Sequence, residues 1–149
     1  MIWTSLNKYR DIGLLILRLG IGGMFIFHGA PKIIGGPEKW EKLGATMGIF
    51  GVHFLPVFWG FMSSFAEFFG GVCLILGLFF RPICILLTIN MAVATSMHLH
   101  RGDGLGGASH AIEGGILFLS LILIGPGKYS LDEKLKPYNS GRSNIPVLS

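Results

Sequence analysis

Four long apolar stretches follow one another along the chain, and each has the composition of a membrane-spanning helix. They cover about residues 12–34, 56–80, 82–98 and 109–125. A helix needs about 20 mostly apolar residues to cross the hydrocarbon core of a bilayer. The fourth stretch is short for a bilayer, which local thinning of the bilayer accommodates. The pattern predicts an all-α, four-helix transmembrane bundle in one integral membrane domain, residues 1–149.

A short amphipathic helix is predicted in the connection between the first two spans, residues 35–55. Gly35-Gly36-Pro37 ends the first span, and proline suits the first turn of a new helix. After it, large apolar residues recur at helical spacing among charged ones: Trp40, Leu43, Met47 and Phe50. This pattern is typical of a helix that lies at the membrane interface and does not form a fifth span.

The remaining connections are short or polar. Arg81-Pro82 predicts the turn between the second and third spans. The glycine-rich segment 101–109 has no Lys-Ser/Thr pair of a phosphate-binding loop, so it is interpreted as a flexible connector. A polar tail, 128–149, follows the fourth span.

The composition supports a membrane location and sets the predicted orientation. Hydrophobic residues make up 51% of the chain and charged residues 13%, which is too apolar for an ordinary soluble domain. The net charge of +4 comes from basic residues at the ends of the spans, so no nucleic-acid binding is expected.

An even number of spans puts both termini and the Arg81 turn on one side of the membrane. That side holds Lys8, Arg10, Arg18, Arg81, Lys128, Lys134, Lys136 and Arg142. The other side holds Lys32, Lys39, Lys42 and Arg101, so the positive-inside rule predicts cytoplasmic termini.

Glu67 lies near the middle of the second span, where a carboxylate is costly. A charged group at the centre of a membrane helix costs about 2.5–3.5 kcal/mol on insertion scales, so it usually faces a partner or a cavity. One hypothesis is a proton-accepting carboxylate; the other is a structural hydrogen-bond partner of Arg18, Ser63 or Asn90. Arg18 has a side chain long enough to reach toward Glu67, where it would set the charge state of the carboxylate.

All five histidines fall on the predicted non-cytoplasmic half. His28, His98 and Glu113 would form a polar layer within about 10 Å of that face, given a rise of about 1.5 Å per residue. With Glu67 they predict an internal pocket that opens toward the outer side. For His53 and His100, an interfacial position facing headgroups or water is favoured.

A metal site is an open alternative for the same layer. His28, His98, His110 and Glu113 supply suitable ligand types, but nothing in their spacing demands a metal. The chain has no CxxCH motif for haem attachment. We therefore expect neither a metal nor a haem.

Three stretches resemble the DoxX family of small four-span membrane proteins. They are LLILRLGIGGMFIFHGAPKI, FAEFFGGVCLILGLFFRP and HAIEGGILFLSLILIGPGKYSLDEKL, and the likeness covers about residues 11–135. The resemblance implies a bacterial-type plasma (inner) membrane protein. Members of the family are sometimes grouped with subunits of thiosulfate:quinone oxidoreductase, and others with oxidative-stress complexes.

Together these observations predict a small membrane redox component that binds a quinone in the pocket. The carbonyl oxygens of a quinone need hydrogen-bond donors, and its reduction needs protons, which histidine and a neighbouring carboxylate can relay. The candidate catalytic residues are Glu67, His98 and Glu113. The candidate quinone-binding residues are Arg18, His28, Glu67, Asn90, His98 and Glu113.

Electrons would come from a partner protein, since the chain has no dinucleotide-binding fingerprint. The main alternative is a non-catalytic subunit or scaffold of a larger membrane complex, whose buried polar residues hold the helices together. A small transporter or proton channel is a third class. Membrane lipid is an expected partner, and a homo-oligomer is left open.

Overall fold

The computed structural model describes residues 3–136, and every regular element among them is helical. A 3-10 helix, Trp3–Tyr9, leads into α1, Arg10–Ile33. The connection that follows holds α2, Gly36–Gly44, and a second 3-10 helix, Ala45–Phe50. The other helices are α3, Pro56–Leu76; α4, Phe80–His100; α5, Gly104–Ile124; and α6, Leu131–Lys134.

Four of these helices, α1, α3, α4 and α5, are long and apolar enough to cross a membrane. The prediction of an all-α fold with four candidate spans and a short helix after the first is confirmed. The part of the predicted polar tail from residue 137 onward lies outside the described residues.

The bundle is built by packing successive long helices against one another. α1 lies against α3, α3 against α4, and α4 against α5. Phe25 on α1 meets Phe118 on α5 edge to face, with ring centroids 5.0 Å apart, which closes the bundle. The shared core contains Leu14, Phe25, Ala66, Leu74, Phe80, Cys84, Leu87, Met91, Ala111, Phe118 and Leu121.

Small residues allow α1 and α3 to approach closely. A Cβ built on Gly29 would lie 2.5 Å from the backbone nitrogen of Phe68, so no larger residue fits there without moving a helix. Such small-residue contacts are typical of membrane helices, because lipid tails provide no hydrophobic force that drives helices together. This close contact lies directly beside Glu67.

The turn between α3 and α4 differs from the prediction. It lies at residues 77–79, and Arg81 and Pro82 belong to the first turn of α4. Proline is tolerated there because the first turn of a helix leaves its N–H groups without intrahelical partners. The chain reverses at Gly77, whose positive φ of 63° suits a residue without a Cβ.

The start of the fourth span also differs from the prediction. α5 begins at Gly104, so most of the segment 101–109 is helical and the connector is only residues 101–103. Glycines weaken a helix in water, but the packing of a membrane helix against its neighbours overrides that preference. Ala108 on this early part of α5 is fully buried in the bundle.

Helix α2 packs against the first turns of α3. The Trp40 ring lies edge to face against Phe61, and its indole Nε1 donates to the Lys32 carbonyl at 2.9 Å. Gly60 lies so close to the Trp40 backbone that a Cβ would overlap its carbonyl oxygen. α2 therefore covers the side of the bundle near the end of α1.

Candidate functional site

An ion pair between Lys32 and Glu67 lies at the centre of the site. Lys32 Nζ donates to both carboxylate oxygens of Glu67 at 2.6 Å. The Glu67 side chain is 8% exposed, whereas the Lys32 side chain is 30% exposed. The two helices run antiparallel, and side chains lean toward the N-terminus of their own helix, so these two side chains lean toward each other. This geometry lets a lysine in the last turn of α1 reach a carboxylate near the middle of α3.

Two residues from α3 and α4 extend the ion pair into a small hydrogen-bonded network. Asn90 Nδ2 donates to Glu67 Oε1 at 3.2 Å, and Ser63 Oγ donates to Asn90 Oδ1 at 2.8 Å. Of the three structural partners of Glu67 predicted from the sequence, Asn90 is confirmed and Ser63 is confirmed only as an indirect partner. Asn90 bonds it directly and Ser63 acts through Asn90.

Glu67 and Lys32 border a cavity of about 170 Å³ between α1, α3, α4 and α5, which we call the histidine cavity. Three histidines from three helices line it: His28, His98 and His110. The rings of His28 and His110 lie 5.9 Å apart between centroids. Its other walls are Phe25, Met91, Ala94, Gly107 and Ala111. The cavity therefore has a mixed lining, in which the polar groups are ones that can exchange protons.

A larger cavity of about 490 Å³ lies on the other side of the ion pair, and we call it the apolar cavity. It is walled by α2, the following 3-10 helix, α3 and α4. Large apolar side chains dominate the wall: Leu43, Met47, Phe58, Trp59, Met62, Leu86, Ile89, Val93 and Met97. Its polar groups include Lys32, Ser63, Glu67, Asn90 and His98. Small-molecule sites commonly have such a wall, with few polar groups that fix orientation.

His98 lines both cavities, as do Lys32 and Glu67. His98 Nδ1 lies 2.8 Å from Asp103 Oδ2, in the short connector after α4. A carboxylate bonded to one ring nitrogen orients the imidazole and leaves the other nitrogen for a second partner. The α4–α5 connector therefore helps to position His98 at the boundary of the two cavities.

The structure brings together four of the six residues predicted for the site: His28, Glu67, Asn90 and His98. His53 and His100 are exposed and line neither cavity, in keeping with the interfacial role favoured for them. The other two predicted residues, Arg18 and Glu113, lie elsewhere.

The predicted contact between Arg18 and Glu67 is wrong. The Arg18 guanidinium donates to four backbone carbonyls, those of Leu74, Ile75, Pro126 and Tyr129, at 2.7–3.0 Å. Two of them lie at the end of α3 and two in the segment after α5, where last-turn and loop carbonyls lack intrahelical partners. Residues 10–18, 76–82 and 124–136 lie at one end of the bundle, which we call the terminal end. Arg18 joins the end of α3 to the segment after α5 there. Lys32 takes the role of counter-ion that the sequence analysis assigned to Arg18.

The predicted place of Glu113 in the pocket is also wrong. Glu113 lines neither cavity and its side chain is exposed on the outer surface of α5. The buried face of α5 is defined by Ala111, Phe118 and Leu121. At 100° per residue, Glu113 is turned about 200° from Ala111, which places it on the opposite face.

Lys32 and His110 are the residues that sequence reasoning missed as members of this site. Lys32 follows His28 by one helical turn, so the two share a face of α1, and this spacing is a usable signal. His110 appears only among the alternative metal ligands. Within residues 3–136, no three His, Cys, Asp or Glu side chains are grouped as metal ligands would be.

Comparison with known proteins bears on the family. The family model DoxX matches residues 13–100, which include α1 to α4 and most of the site. Its match ends before α5. No solved structure matches the chain significantly.

Three curated proteins are similar in sequence. An uncharacterized protein of Haemophilus influenzae is 32% identical over 137 residues, covering 88% of this chain and 96% of that protein. The Escherichia coli protein named "Inner membrane protein YqjF" is 31% identical, covering 87% of this chain and 97% of its own. The Bacillus subtilis protein named "Putative oxidoreductase CatD" is 31% identical over 86 residues, covering 58% of this chain and 59% of its own.

Proposed function

The chain belongs to the DoxX family of membrane proteins, and on that premise we propose that it is a small membrane redox component that binds a quinone in the apolar cavity. One observation carries the proposal: the buried Glu67 carboxylate, bonded by the half-buried Lys32 and Asn90 side chains, lies at the wall of a cavity large enough for a small molecule. The oxidoreductase name of CatD supports the redox class.

The residues of the apolar cavity fit the chemistry of a quinone. A quinone ring is flat and apolar with carbonyl oxygens at opposite edges, so it suits an apolar wall with a few hydrogen-bond donors. The Lys32 ammonium, the Asn90 amide and the His98 imidazole are donors that border this cavity. Its volume of about 490 Å³ lies within the range of small-molecule sites, roughly 300–1,000 Å³.

Each polar residue has a distinct role in this proposal. Lys32 and Asn90 donate hydrogen bonds and hold Glu67 in place, while Glu67 takes up a proton at Oε1 or Oε2 from the histidine cavity and releases it toward the apolar cavity. His98, held by Asp103, offers its second ring nitrogen toward the cavities. A bound quinone would supply two-electron chemistry coupled to the uptake of two protons. His28 and His110 line the path along which protons would enter from the histidine cavity.

The protein would need an electron donor, because the sequence carries no dinucleotide-binding fingerprint. We propose a partner protein or larger membrane complex for that role.

We also propose an inner-membrane location with both termini in the cytoplasm, supported by the excess of basic residues at the terminal end and by the name of the relative YqjF. An alkaline phosphatase domain fused to the C-terminus would be inactive in that orientation, and an active fusion would refute it.

Quinone binding is tested on the full chain in lipid nanodiscs with a short-chain ubiquinone and a short-chain menaquinone. We expect saturable binding of at least one of them. Glu67→Gln and His98→Ala should each weaken it about tenfold or more, which corresponds to the loss of a charge-assisted hydrogen bond of about 1.4 kcal/mol or more. Circular dichroism would check that each variant keeps its helices.

Matched controls use residues of the same type that line neither cavity. Glu113→Gln and His100→Ala should leave the dissociation constant within about twofold of the wild type, since neither side chain borders the apolar cavity. If no quinone binds the folded wild type, or if the control variants weaken binding as much as the site variants, the redox proposal fails. A non-catalytic subunit would then be the better description.

A further inference from the structure

Glu113 is an ionisable residue exposed on the outer surface of a membrane helix, near the middle of its length. It lies about 14 Å from the start of α5 at Gly104 and about 17 Å from its end at Ile124. A Cβ built on the neighbouring Gly114 would lie 3.3 Å from Sδ of Met91, a residue in the middle of α4, so this part of α5 lies beside the middle of α4. Among residues 3–136 the Glu113 carboxylate has no hydrogen-bond or ion-pair partner. A carboxyl group at such a depth is costly when it faces hydrocarbon, and carboxyl groups in membrane helices are almost always paired or directed into a cavity.

Glu113 belongs to a regular stripe along α5. Residues separated alternately by four and three positions share this face: Gly106, His110, Glu113, Leu117, Ser120 and Ile124. All are exposed except Leu117, which is half-buried. A spacing of four and three is the pattern by which two helices pack along a common seam at about +20°. Gly106 and Ser120, one heptad on either side of Glu113, are small enough to allow a close approach.

We propose that this stripe is the interface at which two copies of the chain form a parallel dimer, α5 against α5. Glu113 of each copy bonds His110 of the other. The proposal does not depend on quinone binding. The stripe lies outside the apolar cavity, and among its residues only His110 also lines the histidine cavity.

The stripe suits a second copy because it carries both halves of the polar contact. Two copies inserted in the same orientation are related by a two-fold axis along the membrane normal, and the contact is then reciprocal. Equivalent positions lie at the same depth in a parallel pair, so His110 of the facing copy is offset from Glu113 by about 4.5 Å along the helix axis. The Glu113 side chain leans toward the start of α5, which is the direction of that histidine. The stripe therefore complements itself and needs no basic residue from another protein.

Cysteine cross-linking in membranes tests the interface directly. Under mild oxidation, Ser120→Cys should form a disulfide-linked dimer, because equivalent seam positions face each other in a parallel pair. Leu119→Cys is the matched control. It lies at the same depth and is 57% exposed, but is turned 100° away on α5. The wild type, which has only Cys73 and Cys84, is the negative control for cross-linking through the native cysteines.

The polar contact is tested by energy transfer between labelled copies in lipid vesicles. Glu113→Leu should raise the dimer dissociation constant about tenfold or more, which corresponds to about 1.4 kcal/mol. The double variant His110→Glu/Glu113→His exchanges the two residues and should restore dimerisation. Circular dichroism checks that every variant is folded.

Three results would overturn the proposal. They are a wild type that stays monomeric in the bilayer, cross-linking at Leu119 in preference to Ser120, and a folded Glu113→Leu variant that dimerises as tightly as the wild type. If a different protein co-purifies with a monomeric wild type and is lost from Glu113→Leu, that protein is the partner and the second-copy proposal is wrong.

Discussion

Among residues 3–136, charged side chains are buried in two places of the bundle, and the two places are built differently. At the terminal end, Arg18 is 1% exposed and its guanidinium donates to four backbone carbonyls. Nearer the middle, Glu67 is 6% exposed and pairs with Lys32 and Asn90. Both lie inside predicted spans, and both are candidate functional residues when only the sequence is considered.

The presence or absence of an adjoining cavity distinguishes the role of Glu67 from that of Arg18. Arg18 lines neither the histidine cavity nor the apolar cavity, and its bonds join the end of α3 to the segment after α5. Glu67 borders both cavities, so a molecule or a proton can reach it. Burial of a charge inside a membrane bundle thus identifies an important residue, and an adjoining cavity is what identifies a binding site.

The largest expected effect is the loss of stability in Arg18→Met. Four carbonyls would lose a charged donor, and each buried acceptor left without a partner costs about 1–3 kcal/mol. Because such losses are not additive, we expect the free energy of unfolding to fall by about 3–5 kcal/mol. The measurement is unfolding by SDS in mixed micelles.

Arg10→Met is the control for this substitution, since Arg10 is an exposed arginine at the start of the same helix. It should change the free energy of unfolding by no more than about 0.5 kcal/mol. An Arg18→Met variant as stable as the control would remove the contrast between the two regions.

A double-mutant cycle on Lys32 and Glu67 is expected to show an intermediate effect. Lys32→Met and Glu67→Gln each leave a partner group uncompensated, so the double variant should be more stable than the sum of the single losses by about 1–2 kcal/mol. Each single variant should still fold, because the adjoining cavities give the remaining charge access to water. Unfolding in mixed micelles supplies all four stabilities.

Lys39→Met replaces Lys32→Met in the control cycle, because Lys39 bonds only the Pro31 carbonyl, at the surface. Its coupling to Glu67 should be near zero. Additive losses for the Lys32 and Glu67 pair would contradict the ion pair on which the proposed site depends.

The smallest effect is expected for Asp132→Asn at the terminal end. The two carboxylate oxygens of Asp132 accept the N–H groups of Phe79 and Phe80, both at 2.8 Å. Phe79 has a positive φ of 47°, which is unfavourable for a bulky residue. Asparagine keeps only one acceptor oxygen, so we expect a loss of about 1 kcal/mol.

Thermal denaturation of the Asp132→Asn variant would measure this loss, with quinone binding as the second readout. Binding should be unchanged, because Asp132 lies at the opposite end of the bundle from the apolar cavity. Weaker quinone binding in this variant would mean that the two regions are coupled and that the contrast between them is too simple.

Much of the fold could be predicted from the sequence, because apolar runs of spanning length can only be helices in a bilayer. The four spans and the short helix after the first follow from this rule. The boundaries near Arg81-Pro82 and residues 101–109 were harder to predict. Pro82 lies inside the first turn of α4, and glycines form the first turn of α5. Proline and glycine do not fix a helix boundary by themselves, because packing against neighbouring helices also determines where a helix begins.

The candidate site could be predicted only in part. Glu67, Asn90, His28 and His98 each line one or both of the cavities, and the depth of each along its helix was enough to group them. Depth does not determine rotation about the helix axis, so Glu113 was placed inside when it faces outward. Nor does depth identify bonding partners, which is why Arg18 was assigned to Glu67 in place of Lys32.

The sequence by itself determined that the chain is a helical membrane protein with an acidic residue in its second span. These properties depend on hydrophobicity and length, which are local. The tertiary structure alone decided that Lys32 is the counter-ion, that Arg18 joins two chain segments, and that cavities lie on both sides of Glu67. Those features depend on the rotation and stagger of packed helices, and these are set by contacts between residues far apart in the chain.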